Sequence, residues 1–372
     1  MKKIALAASI VAFGAGGAVA GGLDRSYTHI DQIFEKGNYA ELSFGYIDPT
    51  LEGRDLLGNP ISNVADSFTN VGGALKLDFG DKMSFAVIFD QPYGTDIHYG
   101  GSPVATLLGG TSAVSDSNAL TVLLKYKVTD RISLYGGPRA VEADGTINLK
   151  GLAYGPLNGY RVKLNSDYGL GAVVGAAYEI PKIAFRAALT WHSSVDLNFN
   201  TVEAFPIAPG VPGPAIATGK TKSELPQSLR LTLQSGISRN TLLFGSVRWS
   251  EWSAFNIDPP SVAPNLSELD DVYGYEIGIG HRFTDRLSAR VSYDYEPSQG
   301  DSLVSPLLPY NGLQALTLGA KYKLTDHVDL SGGVRYIVLG NAKPETGTPD
   351  TARGNFKNND AVSVGFKLGV HF

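Results

Sequence analysis

The sequence predicts an all-β fold: a transmembrane antiparallel β-barrel of about 14 strands with a short N-terminal hatch in its lumen. Three observations carry this. The chain ends in a segment where Val362, Val364, Phe366, Leu368, Val370 and Phe372 alternate with Ser363, Gly365, Lys367, Gly369 and His371. Side chains in a strand repeat every two residues, so one row can face lipid while the other faces a polar lumen. The same alternation recurs along the chain. Finally, short and long connections take turns between the alternating segments, as in outer-membrane barrels, where the short side is periplasmic.

The first element is an address. Lys2 and Lys3 precede an apolar stretch from Ile4 to Phe13 and the small residues Ala18-Val19-Ala20. Residues 1–20 therefore read as a cleaved secretory signal, and Gly21 as the first residue of the mature chain. The expected destination is the bacterial outer membrane. Residues 21–39 are expected to form the hatch, with Leu23, Tyr27, Ile30, Ile33 and Phe34 as apolar residues at a spacing that suits a short amphipathic helix. Residues 40–372 are expected to form the barrel.

Strand after strand follows, beginning with Leu42, Phe44, Tyr46; then Val71, Leu75, Leu77, Phe79; then Met83, Phe85, Val87, Phe89. The series continues through Leu120 to Val128, Ile132 to Leu134, Tyr168 to Tyr178, Ile183 to Trp191, Leu229 to Leu233 and Leu243 to Trp249. Tyr273 to Phe283, Leu287 to Tyr295, Leu316 to Leu324 and Val328 to Tyr336 lead to the final strand. Tight polar turns such as Gly80-Asp81-Lys82, Thr129-Asp130-Arg131, Thr284-Asp285-Arg286 and Thr325-Asp326-His327 close hairpins. Asp48 to Ser67, Pro92 to Val114, Val202 to Pro226 and Gly340 to Asp360 read as long linkers. An even strand count returns the C-terminus to the periplasmic side.

Composition agrees. The chain has 372 residues, Cys 0, Gly 44 and 18% charged residues, so thiol chemistry, disulfides and cysteine metal sites are excluded. No later stretch reaches the eighteen or so apolar residues of a spanning helix, which leaves strands as the only means of crossing. The formal net charge of −5 argues against a nucleic-acid partner. Tyr46, Tyr93, Tyr126, Tyr178, Trp191, Trp249, Trp252, Tyr293, Tyr295, Tyr322, Tyr336 and Phe372 fall at strand ends and read as aromatic girdles. Lys76, Lys125, Arg230, Arg248, Glu276, Asp294, Lys321 and Lys367 fall in the opposing rows and should point inward. On the lipid face an Arg or Lys at mid-membrane costs roughly 2–4 kcal/mol.

Several runs resemble the FadL-type outer-membrane transporters of long-chain fatty acids and other hydrophobic compounds. Asn38-Tyr39-Ala40-Glu41-Leu42-Ser43 with Tyr46-Ile47-Asp48-Pro49 is similar to the first strand of that family. Tyr178-Glu179-Ile180-Pro181-Lys182 with Ala188-Leu189-Thr190-Trp191 is similar to its central hairpin. Glu224-Leu225-Pro226, Trp249-Ser250-Glu251-Trp252-Ser253-Ala254-Phe255, Asp271-Val272-Tyr273 and Tyr293-Asp294-Tyr295-Glu296-Pro297-Ser298 follow in order. The resemblance implies fourteen strands, an N-terminal hatch and a kinked third strand that opens the wall sideways. Here the kink would be Asp90, Gln91, Pro92, Tyr93 and Gly94, where Pro92 removes a ladder donor; the equal alternative is that Pro92 merely ends the strand at the extracellular rim. Two departures stand out: the segment before the first strand is short, and it holds no Asn-Pro-Ala motif, Asn59-Pro60 being in the first long loop.

The expected function is outer-membrane transport of long-chain fatty acids or other hydrophobic compounds, by capture on extracellular loops and lateral release at the third strand. A fatty-acid carboxylate would take a cationic partner, with Arg139, Arg186, Arg290 and Arg335 as candidates, although for any single one a lumen salt bridge with the acidic rows is the more expected role. The alternative is a general diffusion porin for small polar solutes. An outer-membrane hydrolase built on His192 beside Ser193 and Ser194 is disfavoured, because neighbours in a strand face opposite ways and no Gly-x-Ser-x-Gly elbow is present. No enzyme activity, metal or cofactor is expected. The expected partners are a hydrophobic small molecule, outer-membrane lipid and lipopolysaccharide. A sideways exit needs wall in contact with lipid, which suggests a monomer.

Overall fold

The computed structural model describes residues 22–26, 28–206, 214–262, 265–347 and 349–372. The signal, Gly21 and Tyr27 of the expected hatch lie outside the described residues. Fourteen antiparallel strands close into a barrel, and the described residues hold no α-helix.

In chain order the strands are β1 Tyr39–Thr50, β2 Phe68–Phe79, β3 Met83–Asp90 with its continuation Gly94–His98, β4 Ser112–Lys127 and β5 Ile132–Leu149. Next come β6 Tyr160–Ile180, β7 Phe185–His192 continuing as Val195–Ala204, and β8 Ile216–Leu225 continuing as Ser228–Gly236. The series ends with β9 Thr241–Ser250, β10 Val272–Arg282, β11 Leu287–Glu296, β12 Leu313–Lys323, β13 Val328–Leu339 and β14 Asn359–His371. β1 pairs with β2 on one side and β14 on the other, with Phe44 opposite both Val71 and Phe366, so no edge is left open.

The period-two pattern fixes the two faces. Leu42, Phe44, Leu75, Leu318, Val334 and Phe366 form part of an exposed apolar belt. The intervening Lys76, Lys125, Arg248, Lys321 and Lys367 are buried in the lumen. There they find partners: Lys321 with Asp329 at 3.0 Å, Lys367 with Glu41 at 3.3 Å and Arg335 with Asp294 at 3.6 Å. His371, inward in the last strand, meets Asp329 at 3.2 Å.

The three Thr-Asp turns share one chemistry. The Thr129 hydroxyl accepts the N–H groups of Arg131 and Ile132, Thr284 those of Arg286 and Leu287, and Thr325 those of His327 and Val328. A hydroxyl thus stands in for a backbone acceptor at each of these three turns.

The long connections correct the reading of them as linkers. The barrel wall continues through much of Val202 to Pro226, because β7 and β8 extend upward as a paired hairpin, Val195 opposite Leu225 and Ala204 opposite Ile216. Period-two alternation persists there beneath a Pro- and Gly-rich composition. Between β1 and β2, Gly53–Asp55 and Pro60–Ile61 pair with each other and with Gly354–Phe356 from the last long connection, forming a small sheet over the mouth.

The N-terminal segment is also not an amphipathic helix. Its only helical turn among the described residues is the four-residue 3-10 turn Asp31–Phe34. The segment runs inside the barrel, where Ile30 and Ile33 pack against the lumen-facing Ala86, Ile88, Leu123, Tyr135, Val173, Ala177 and Ala188. Lys125 donates to the Ile33 carbonyl at 2.7 Å, and Arg186 and Lys125 lie over the Phe34 ring at 4.3 and 5.0 Å. Extended backbone is favoured because the barrel supplies partners for it.

Two aromatics leave the expected girdle. Tyr93 and Trp252 are buried inside, ring edge to ring face at 5.5 Å. Tyr93 follows a break in its strand, and Trp252 sits on a 3-10 turn, Trp252–Ala254, folded inward after β9. Neither obeys the alternation of a regular strand.

Candidate functional site

The site begins where β3 loses its register. Asp90 stands opposite Ala119 of β4, and Gly94 opposite Asp116, so β3 carries one residue more than its partner across this stretch. On the other side, the β2–β3 ladder runs only from Phe79 to Gly73. Phe68 to Gly72 keep hydrogen-bonded pairing with β1 alone. Above the gap β3 is held again by Val64 to Asp66, through His98 N–H to Val64 at 2.6 Å and Asp66 N–H to Asp96 at 3.0 Å.

Side chains and the N-terminal segment span the interval. The Gln91 amide bridges the flanking strands, accepting from Val71 N–H at 2.9 Å and donating to Asn118 at 3.3 Å. From inside, the Pro92 carbonyl accepts the N–H groups of Arg25 and Ser26 at 2.7 and 3.1 Å, and Gly94 N–H donates to Leu23 at 2.9 Å. Residues 23–26 thus act as an inner strand along the break. Ser26 adds a hydroxyl bond to Asp90 at 3.0 Å.

Asp24 fixes this inner strand to the far wall. Its carboxylate takes Arg248 Nη1 and Nη2 at 2.7 and 3.1 Å and Trp252 Nε1 at 3.2 Å. The carboxylate is fully buried, so its charge needs these donors.

Beside this inner strand lies a cavity that is partly open to solvent. Leu23, Tyr93 and Thr95 form one side; Ala113 to Ser117 of β4, Ala143 to Ile147 of β5 and Leu164 of β6 continue it. Leu197, Phe199, Ser223 and Leu225 of the β7–β8 hairpin, with Phe255, Ile257, Leu269, Leu307 and Leu308 from two loops, complete the lining. The lining is chiefly apolar, and none of it is Lys, Arg or His. Such a lining suits an apolar solute. A register shift between Ala143 and Gly145 turns β5 at this point and shapes the wall.

The five predicted kink residues gather at the break. Of the hatch residues, Leu23 reaches the cavity while Ile30, Ile33 and Phe34 fill the periplasmic half of the lumen. None of the four arginines lines the cavity. Arg139 lies just beyond it, buried, 5.8 Å from the Tyr93 ring. Arg186 serves Phe34 and Gln234, Arg290 lies 5.6 Å from Phe244, and Arg335 pairs with Asp294. His192 is buried, and its neighbour Ser193 is engaged by Ala172 N–H and the Ser194 carbonyl. Sequence reasoning missed Asp24, Arg25 and Trp252. The available signal was the polar run Asp24-Arg25-Ser26 in a segment destined for a lumen, where charges must find partners.

Comparison with known proteins agrees with this architecture. A solved Pseudomonas aeruginosa FadL homologue superposes with a TM-score of 0.72 at 14% identity, over 91% of each chain. The Pseudomonas putida toluene transporter TodX gives 0.70 at 14% identity, again over 91% of each chain. Among curated sequences, the 47 kDa outer membrane protein of Pasteurella multocida is 27% identical over 233 residues, 56% of this chain and 53% of that protein. Outer membrane protein P1 of Haemophilus influenzae is 22% identical over 297 residues, 69% of this chain and 63% of that protein. The chain therefore spans between half and two thirds of these relatives' length. Residues 63–372 match the model of the outer membrane protein transport protein family (OMPP1/FadL/TodX), and the chain belongs to that family.

Proposed function

We propose that this protein carries neutral hydrophobic small molecules across the outer membrane, taking them from the extracellular loops into the apolar cavity and releasing them sideways at the break in β3. The observation that supports this most is the coincidence of the two features: Leu23, Tyr93 and Thr95 belong to the break and line the cavity. A solute in water gains from the apolar lining, and a gap in the wall spares it a return to water. The structural relatives described as toluene transporters favour the same substrate class. A general porin is less well supported, since residues projecting into the lumen at several depths, among them Ile33, Lys76, Leu123 and Trp252, are buried rather than water-lined. In this reading the protein works as a monomer in the outer membrane, in contact with lipid and lipopolysaccharide, after removal of its signal.

Long-chain fatty acids are a second reading, favoured by Arg139. Its Nε and Nη2 have no hydrogen-bond partner among the described residues, and it lies 5.8 Å from the ring of Tyr93, which lines the cavity. A carboxylate reaching past Tyr93 would satisfy it.

The test is uptake of radiolabelled toluene and oleate by cells with intact lipopolysaccharide that lack their own importer, with and without Arg139→Met. Toluene uptake insensitive to this change supports the neutral-solute reading; oleate uptake that depends on Arg139 supports the second. Uptake of neither, with sugars passing freely into liposomes carrying the protein, would sink both in favour of a porin.

A further inference from the structure

We propose that Arg25 is the latch of the wall opening and the residue that makes the exit prefer aromatic over aliphatic solutes. The inference rests on the lateral release proposed above. Arg25 is buried, and its guanidinium carbon lies 4.5 Å from the centre of the Phe68 ring, on the stretch of β2 that lacks a β3 partner. Its Nη1 donates to Asp116 of β4, the residue opposite Gly94. A Cβ on Gly94 would stand 2.5 Å from the Arg25 Cζ and 2.6 Å from its Nε, so the missing side chain of Gly94 is the space the guanidinium occupies. One side chain thus lies between the two strand segments that have lost their ladder, touching both flanks.

The closure is built to be released. Asp116 is largely exposed, so the buried Arg25 side chain meets the outer surface at this end. Arg25 Nε has no hydrogen-bond partner among the described residues. Asp116 and Leu23, the latter two residues before Arg25, both line the cavity, so an occupant touches the latch from above. An aromatic solute offers the guanidinium the same negative ring face that Phe68 offers, and can replace that contact as it passes. An aliphatic solute of equal size cannot, and must displace the cation without compensation.

The test compares uptake of toluene and methylcyclohexane by cells expressing wild type, Arg25→Ala, Arg25→Lys and Phe68→Leu, at equal levels of barrel that migrates as folded on unheated gels. Wild type should favour toluene several-fold. Arg25→Ala should raise methylcyclohexane uptake and abolish the preference, Phe68→Leu should weaken it, and Arg25→Lys should retain part of it. A preference unchanged in folded Arg25→Ala overturns the proposal; if that variant does not fold, Phe68→Leu decides alone. A disulfide between Ser26→Cys and Asp90→Cys separates the two readings. These side chains touch at 3.0 Å, and the chain has no other cysteine. Uptake lost on oxidation and restored by reductant supports release at the break. Undiminished transport by the oxidised protein overturns lateral release and the latch with it, whereas a working lock with an Arg25→Ala variant that keeps its preference overturns the latch alone.

Discussion

Asp24 and Arg248, 224 residues apart in sequence, meet in the lumen through two hydrogen bonds of 2.7 and 3.1 Å. Arg248 stands directly opposite Arg230 on β8, so the wall presents two like charges side by side. Asp24 therefore does two things: it neutralises a cation the barrel cannot easily bury, and it ties the N-terminal segment across the lumen from β3.

Removing the carboxylate should free the segment. Asp24→Ala takes this carboxylate away from the buried Arg248, a loss of about 3–5 kcal/mol for a buried pair. The expected result is proteolytic cleavage within residues 22–38 of a barrel that otherwise stays closed. Asp24→Ala with Arg248→Met should recover part of the stability. Equal protection of Asp24→Ala and wild type would refute the anchoring role.

The Gln91 amide holds the outer face of the gap. Gln91→Leu should remove the acceptor of the Val71 N–H, at a cost of about 0.5–1.5 kcal/mol for an ordinary hydrogen bond. Amide exchange at Val71 should accelerate while that at Leu75, within the intact β2–β3 ladder, is unchanged. Acceleration at both would mean that the ladder, and not the bridge, has failed.

The lipid face can be tested by charge. Leu318 of β12 is exposed in the middle of its strand. Leu318→Arg should destabilise the barrel by roughly 2–4 kcal/mol in refolding titrations into bilayers. A negligible effect would mean that this row does not meet lipid.

The extracellular loops carry a pH response. Burial, then the neighbouring carboxylates of Asp350, Glu268, Asp301 and Asp270, push Glu345 up to about 7 from its usual 4.5. A raised carboxyl pKa means that the folded loop favours the protonated form. The stabilisation is present below about pH 4.5 and is lost as pH rises through about 7. Amide exchange in Lys343–Thr346, compared at each pH with Glu345→Gln, should show growing relative protection of the variant across that interval. Parallel behaviour at every pH would contradict it.

The barrel was legible because its physics is periodic. Phe44 and Phe366 face lipid, and Lys76 and Lys367 face the lumen, for the same reason, and a period of two can be read from letters alone. The Thr-Asp turns were legible because a hydroxyl at that position has one local use. The site was only half legible. Pro92 marked the break, yet nothing local says that Arg25 lies beside Gly94 or that Asp24 reaches Arg248, since neither contact follows a period. Tyr93 and Trp252 misled for a related reason: an aromatic at a strand end suits an interface unless the backbone turns it inward, and that turn depends on a break and a loop. The upward extension of β7 and β8 was hidden by Pro and Gly nearby.

The central claim is that solute passes through the cavity beside β3, and filling that cavity tests it most directly. Ala143 lines the cavity at the register shift of β5, where Ala143→Phe would place a ring in the space. The rate of toluene uptake by cells with intact lipopolysaccharide should fall roughly tenfold or more, a change worth about 1.4 kcal/mol, with the variant still folded in the outer membrane. Uptake by folded Ala143→Phe at the wild-type rate would contradict the account.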